Sequence, residues 1–257
     1  MALCFIISTQ VNNLFVGESL IFRAHMHHSN NMKRGKNYRK AQENYDRNAV
    51  YSPEEALDLL EKFPKAKFDE SVELHIKTNI DATKSDQQIR GALQLPHGTG
   101  KTFKIAAFTE TQQAEAKKAG AHLVGGAELI EQIKTSSTID FDKAVATPEM
   151  MPKLAQVAKI LGPRGLMPNP KTQTVGPKID VLIEGFKKGN VSFKNDSSGN
   201  VHQAIGKRSF TKDQIKENLE AFVNEFKKNK PAGAKGKFIQ NASISATMTP
   251  GIRVSLK

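Results

Sequence analysis

With 257 residues, 38% of them hydrophobic and 25% charged, the chain has the composition of a folded protein, long enough for one large domain or two ordinary ones. A single cysteine, Cys4, excludes an intramolecular disulfide and Cys-based zinc ligation. The net charge of +12 calls for an anionic partner, and with no tryptophan and three tyrosines any stacking on nucleic acid falls mainly to the fourteen phenylalanines.

The charge is unevenly distributed. Residues 1–47 carry 7 basic and 3 acidic side chains and residues 187–257 carry 14 and 5, whereas residues 48–97 carry 6 and 9 and residues 98–186 carry 11 and 9. Polyanion binding is therefore expected from the ends of the chain rather than its middle.

Residues 1–31 differ from the rest. Met1 to Phe22 is apolar but broken by Gln10, Asn12, Asn13 and Glu18, too interrupted to span a bilayer, and it lacks the basic start of a secretory signal. It reads as a doubtful leader, with Met32 the expected initiator. From Lys33 to Arg47 six cations outnumber two acids, which suits either a phosphate-contacting arm or a solvated helix face.

Ser52-Pro-Glu-Glu55 then sets a capping box, and the helix it opens carries Ala56, Leu59, Leu60 and Phe63 on one face. From Asp69 to Lys77, Val72, Leu74 and Ile76 alternate with Ser71, Glu73, His75 and Lys77, the pattern of a strand with one open face. Ile89–Leu95 reads as a second strand. The periodicity next changes: strands at 103–108, 122–125 and 143–146 alternate with helices at 111–119, 128–134 and 151–161, which predicts a parallel α/β unit. The antiparallel style returns with a helix at 179–186, a hairpin turning at Ser197-Ser-Gly-Asn200, and an amphipathic helix through Ile215, Leu219, Phe222, Val223 and Phe226. Pro231 stops that helix, and a final strand follows from Phe238 to Thr247. The expected fold class is α+β with an inserted α/β unit: a discontinuous antiparallel, split β-α-β-like domain at 32–97 and 188–257, and a three-layer Rossmann-like parallel domain at 98–187.

Three motifs carry the chemical argument. Leu161-Gly-Pro-Arg-Gly-Leu-Met-Pro-Asn-Pro-Lys171 can neither continue a helix nor pair as a central strand, yet Leu161, Leu166 and Met167 are too apolar for a linker. It reads as a rigid packed loop presenting Arg164 and Lys171. His97-Gly-Thr-Gly-Lys-Thr102 imitates a phosphate-binding loop, but the first glycine of that motif would fall at Leu95, and a strand rather than a helix follows. Its glycines, Gly98 and Gly100, better serve a hinge, with the second crossover at Thr174 and Gly176 expected beside them. Seven scattered histidines show no catalytic spacing, and no nucleophile–base pair stands out, so neither an enzyme nor a metal site is expected. Lys67 and Phe68, just ahead of the open-faced strand, instead offer a cation for phosphate and a ring for packing on sugar or base. Lys194, His202 and Lys207 lie on the neighbouring hairpin.

These blocks also carry a likeness. Leu161 to Lys171 is similar, almost residue for residue, to the signature of the large-subunit ribosomal protein L-one family. The likeness continues through Phe68–Leu74, Arg90-Gly91, Leu95–Lys101, Ala119–Ala121, Phe141-Asp142, Ala146–Pro148, Ile205–Lys207 and Thr247-Met248, in the family's order from Met32 onward. The resemblance implies a structural rRNA-binding protein of the bacterial type, with no cofactor and no catalytic role. It would form the mobile stalk of the large subunit and act as a monomer within the cytoplasmic ribosome, an organellar ribosome being the less favoured alternative. Its partners would be large-subunit rRNA, exit-site tRNA leaving in deacylated form, and the leader of its own mRNA, where it would act as a translational repressor. In the family the lysine–phenylalanine and Thr-Met positions contact rRNA, here Lys67, Phe68, Thr247 and Met248. Ser71, Glu73, His75, Lys194, His202, Lys207 and Thr249 complete the expected surface. Three positions depart from the pattern: Thr249 and Gln173 where glycine is usual, and His122 where aspartate is common. A non-ribosomal RNA-binding regulator is the alternative, and a nucleotide-dependent enzyme the third reading. Co-sedimentation with large subunits and nucleotide turnover distinguish the three.

Overall fold

The structure, a computed structural model, describes residues 35–43, 45–136, 139–231, 233, 234 and 236–256. The expected leader, with His25, His27 and His28, and the expected start at Met32 lie outside the described residues.

A basic helix, α1 (Lys36–Glu43), opens the described chain. Helix α2 (Pro53–Lys62) starts where the capping box places it: Ser52 Oγ accepts from Glu55 N, and Glu55 Oε2 accepts from Ser52 N. These two bonds satisfy donors that the first helical turn leaves free. Strand β1 (Ser71–Thr78) follows, with Val72, Leu74 and Ile76 buried and the intervening side chains open. β2 (Arg90–Gln94) closes this first passage.

The inserted α/β part alternates β3 (Ile105–Phe108), α3 (Gln113–Lys118), β4 (Leu123–Gly125), α4 (Ala127–Ser136) and β5 (Lys143–Ala146). Its sheet is parallel in the order β4-β3-β5. Period-two alternation divides its residues between two cores. Ile105, Ala107 and Val145 face Ala116 of α3 and Ile179, Ile183 and Phe186 of α7 (Ile179–Lys187). Ala106, Phe108, Ala144 and Ala146 face Ile130 and Ile133 of α4 and the residues of 150–161. Helices on both faces of a short parallel sheet make three layers.

The continuous helix expected at 151–161 is instead four short turns: 3₁₀ at Pro148–Met150, α5 (Met151–Leu154), 3₁₀ at Ala155–Val157 and α6 (Ala158–Leu161). Pro148 and Pro152 remove two donors, and Met150, Leu154, Val157 and Leu161 are buried at spacings that either helix type satisfies.

The chain then returns to the antiparallel part through β6 (Asn190–Lys194), β7 (Asn200–Lys207), α8 (Lys212–Lys228), β8 (Ile239–Ala246) and a two-residue strand, β9 (Ile252–Arg253), that the sequence pattern does not reveal. Four strands form one antiparallel sheet in the order β7-β1-β8-β9, and β2 pairs with β6 separately. The expected hairpin is therefore a turn without a ladder. Asp196 N donates to Asn200 O, but β6 leaves for β2 and β7 for β1, joined by a single bridge at Asn195–Val201. Buried Asn195 directs this parting, since its Oδ1 accepts from Ile89 N at 2.8 Å beside β2. One hydrophobic core draws on both ends of the chain, from Ala41 to Leu95 and from Val191 to Val254, with Phe193, Phe222, Phe226 and Phe238 in ring contact. The buried residues of the two cores of the inserted part span 106–161 and 105–186. The fold is α+β with an inserted α/β unit.

Candidate nucleic-acid interface

Because Val72, Leu74 and Ile76 are committed to the core, β1 must turn Ser71, Glu73, His75 and Lys77 outward. Register then fixes their neighbours. On β7, Lys207 lies opposite Ser71, His202 opposite His75 and Asn200 opposite Lys77. On β8, Ser245, Ser243 and Asn241 lie opposite Glu73, His75 and Lys77, and Arg253 of β9 lies opposite Ser243. Ser243, Ser245, Asn241 and Arg253 escaped the sequence reading, because their place on this face depends on pairings to β1 and β9 that no local pattern records.

Two hydrogen-bonded groups organise the face. In its middle, His75 Nδ1 and His202 Nδ1 are 2.8 Å apart and His75 Nε2 lies 2.9 Å from Ser245 Oγ. Glu73 stands 4.0 Å from His75 Nε2, and Asp196 3.7 Å from His202 Nε2. Burial, then the His202 charge, lower the His75 pKa against the opposing pull of Glu73. The amides of Asn200 and Ser198 and the Asn200 side chain hold the Asp196 carboxyl below the usual carboxylate range. At the Ser71 end, Thr247 Oγ1 accepts from Ser71 N and donates to Ser71 O. That bond ties the turn after β8 to the start of β1, so Met248 sits at the same end of the sheet as Phe68, three residues ahead of Ser71. Phe68 is 55% exposed and Met248 62%. They are two of four large apolar side chains that are this exposed among the described residues, with Val50 and Val181.

The loop carrying Lys67 and Phe68 is held from beneath. Arg208 forms a buried ion pair with Glu70 and donates to the carbonyls of Leu60 and Phe63, each at 2.6 Å, and of Pro64. Glu70 in turn accepts from Ala66 N. Lys207 Nζ lies 3.7 Å from Asp69, directly beside this loop. The Arg208–Glu70 pair shows no local signal, because its two members lie 138 residues apart.

The structure therefore gathers Lys67, Phe68, Ser71, Lys207, Thr247 and Met248 at one end of the sheet, with Glu73, His75 and His202 toward its centre. Thr249 is beside them, but its hydroxyl turns back to Ala246, accepting from Ala246 N at 2.9 Å. Lys194 is separated from the group. It pairs with Arg90 in the β2–β6 sheet, because β6 and β7 part at Asn195.

At the first crossover, Gly98 and Gly100 adopt φ of +64° and +68°. Buried Asn218 of α8 holds this segment, accepting from His97 N and donating to the carbonyls of Gly98 and Ile205. The neighbour of Gly98 is Gly189, where Leu95 N donates to Gly189 O. Thr174 and Gly176 are tied to β5: Ala146 N donates to Thr174 O, and Gly176 N donates to Ala146 O. Between them and the Pro/Gly loop, Gln173 has φ +53°, a left-handed conformation that explains why glycine suits this position. The segment after Gly100 runs into β3 rather than a helix, so it lacks the geometry of a phosphate loop. Among the described residues, no group of three His, Cys, Asp or Glu side chains is placed to hold a metal ion, and no helix is long and apolar enough to cross a membrane.

Comparison with known proteins agrees with this architecture. Residues 60–250 match the model of the ribosomal protein L1p/L10e family. The chain is 50% identical over 223 residues to the large ribosomal subunit protein uL1 of Kosmotoga olearia, covering 86% of this chain and 96% of that protein. It is 49% identical over the same shares to the uL1 protein of Thermosipho africanus. To that of Mesoplasma florum it is 51% identical over 211 residues, 82% of this chain and 93% of the other. A match running from the end of α2 through the turn after β8, together with half-identical relatives along nearly their whole length, establishes that the chain belongs to the ribosomal protein L1p/L10e family.

Proposed function

We propose that the protein is a structural constituent of the large ribosomal subunit and binds large-subunit rRNA through the open face of the four-stranded sheet. The observation that carries this reading is the placement of Phe68 and Met248, both more than half exposed, at one end of that face beside Lys67 and Lys207. The serines and small side chains along β8 let a sugar–phosphate backbone approach, the lysines neutralise phosphate, and Phe68 and Met248 supply surface for sugar or base packing. A rigid sheet face without a protruding helix suits structured RNA, read through shape and 2′-hydroxyls, better than a DNA major groove.

On this reading the parts at 32–97 with 188–257 and at 98–187 pivot about Gly98, Gly100 and the paired return strand, with Thr174 and Gly176 anchoring the inserted part. Movement of that kind would let the stalk help deacylated tRNA leave the exit site, and the same face would take the leader of the protein's own mRNA as a repressor. The site of action is the cytoplasmic ribosome. Titrating the full chain with a stalk rRNA fragment and a scrambled hairpin across a salt series tests the central claim. The stalk fragment is expected to bind on the order of a thousandfold tighter at physiological salt, the margin typical of specific recognition. Equal binding of both RNAs, abolished together by salt, would reduce the interaction to net charge and overturn it.

A further inference from the structure

The Pro/Gly loop at 161–171 is not absorbed by the RNA-binding reading. It forms one wall of a cleft of about 350 Å³, a size within the range of small-ligand sites. The opposite wall is the β2–β6 sheet, and Lys143 of β5 stands between. Arg90, Lys143 and Lys194 all line this cleft, and no Asp or Glu does. Among the described residues none of the three cations has a carboxylate within ion-pair distance; Arg90 donates to Gln88 Oε1 and Lys143 to Ser192 Oγ at 3.3 Å. Asp142, adjacent in sequence to Lys143, accepts from Lys104 N instead. The wall is stiff: Asn169 N donates to Thr174 Oγ1 at 2.6 Å, and the Thr172 and Thr174 hydroxyls donate back to Asn169 O. Lys143 is half-buried, lies 5.8 Å from the centre of the Phe103 ring, and has its pKa lowered by burial. The lining thus carries three cations and no carboxylate, with Asp142 the one charge that acts on Lys143 from outside it, and this excess of positive charge suits a compact polyanion.

We infer that this cleft binds a compact oligophosphate, a di- or triphosphate group, between Lys143 and Ser192 on one side and Arg90 and Lys194 on the other. A single phosphodiester carries one charge and leaves two cations unmatched. A terminal diphosphate carries about three charges and a triphosphate about four, so either can match all three cations, whether free or at the end of a nucleotide or an RNA chain. The site is distinct from the sheet face proposed for rRNA and does not depend on that reading.

Calorimetric titration of the full chain with sodium tripolyphosphate is the test. One tripolyphosphate is expected per chain, and Lys143→Met and Lys194→Ala are each expected to weaken it by about tenfold or more, the loss of one charge-assisted contact. Lys194 is exposed, so Lys194→Ala keeps the test decisive if Lys143→Met fails to fold. Competition by GTP, and by a 5′-triphosphorylated against a 5′-hydroxyl oligonucleotide, identifies the natural source. Equal binding by wild type and Lys194→Ala, several ions per chain, or displacement by the 5′-hydroxyl oligonucleotide as readily as by the triphosphorylated one would overturn the assignment.

Discussion

His75 and His202 face each other across the β1–β7 pair with their Nδ1 atoms 2.8 Å apart, so one ring must donate and the other accept. A proton on both nitrogens would set two N–H groups against each other. The charged groups around the pair are Glu73 beside His75 and Asp196 beside His202, and burial with the His202 charge still lowers the His75 pKa. The folded state therefore binds this proton less readily than the unfolded chain, whose histidines titrate near about 6.5. The stabilising contribution of neutral His75 is fully present above that pH and is lost as pH falls through the lower folded value. Urea unfolding between pH 7.5 and 5 should show stability declining from about 6.5 downward. His75→Gln should flatten that part of the curve; an unchanged slope would place the proton uptake elsewhere.

Phe68 and Met248 contribute exposed area, so truncating them should cost the fold little and binding much. Phe68→Ala and Met248→Ala are each expected to leave stability within about 0.5 kcal/mol of the parent. Affinity for the stalk rRNA fragment should fall by about tenfold or more in Phe68→Ala, since aromatic packing on a base is worth about 1–3 kcal/mol, and by less in Met248→Ala, which has no ring to stack. Filter binding alongside thermal melts separates the two effects. A variant that melts early and binds poorly would point to misfolding instead of lost contact.

The Arg208–Glu70 pair lies beneath the loop bearing Phe68, with side chains only 6% and 1% exposed. Glu70→Ala would strand the guanidinium in the interior and should cost about 3–5 kcal/mol by urea unfolding. Arg208→Lys should also destabilise, because an ammonium cannot reproduce the planar fork that reaches Leu60, Phe63 and Pro64 together. Both variants loosen residues 64–70 and should lower RNA affinity beyond the stability loss. Full RNA affinity in folded Arg208→Lys would show that the loop is held by other means.

Asn218 serves three backbone groups at once: His97 N, Gly98 O and Ile205 O. Ile205 is the extra residue where the β1–β7 register shifts, and its carbonyl turns to Asn218. Asn218→Leu would leave all three without this partner and is expected to cost at least about 3 kcal/mol, with a correspondingly lower melting temperature. A loss under about 1 kcal/mol would mean that water replaces the amide readily.

What could be read from the sequence follows the range of the interaction. The capping box of α2, the alternation of β1, the apolar stripe of α8 and the turn at Ser197–Asn200 are set by neighbours within a few residues; each is where its pattern puts it, although the strands beside that turn part instead of pairing as a hairpin. A phenylalanine beside an alternating strand is by itself as consistent with core as with contact, so the exposure of Phe68 is suggested only by the family resemblance. Lys194 was not separable from His202 by sequence, because one buried side chain, Asn195, sends β6 to a different sheet. Arg208 meets Glu70 across 138 residues and Asn218 meets Gly98 across 120, and β9 is too short to show an alternation. Lys143 looked like an ordinary strand residue until the return of β6 set Ser192 against it.

The two crossings of the chain meet at a pair of glycines with unequal demands. A Cβ on Gly189, at φ +98°, would lie 2.4 Å from Gly98 Cα and 3.1 Å from Gly98 N. A Cβ on Gly98, at φ +64°, would come no nearer than 3.6 Å to Gly189 Cα. Gly98→Ala therefore carries mainly left-handed strain, about 1–2 kcal/mol. Gly189→Ala adds a backbone collision that no side-chain rotation relieves, and overpacking of that kind costs about 1–3 kcal/mol more. Urea unfolding should accordingly rank Gly189→Ala well below Gly98→Ala. If the two variants lose the same stability, backbone conformation alone demands glycine here, and the close approach of the crossings is relieved by a shift of one strand. Such a shift would be the motion that a pivot at Gly98 requires, and it would register as a larger radius of gyration in Gly189→Ala at unchanged helix content.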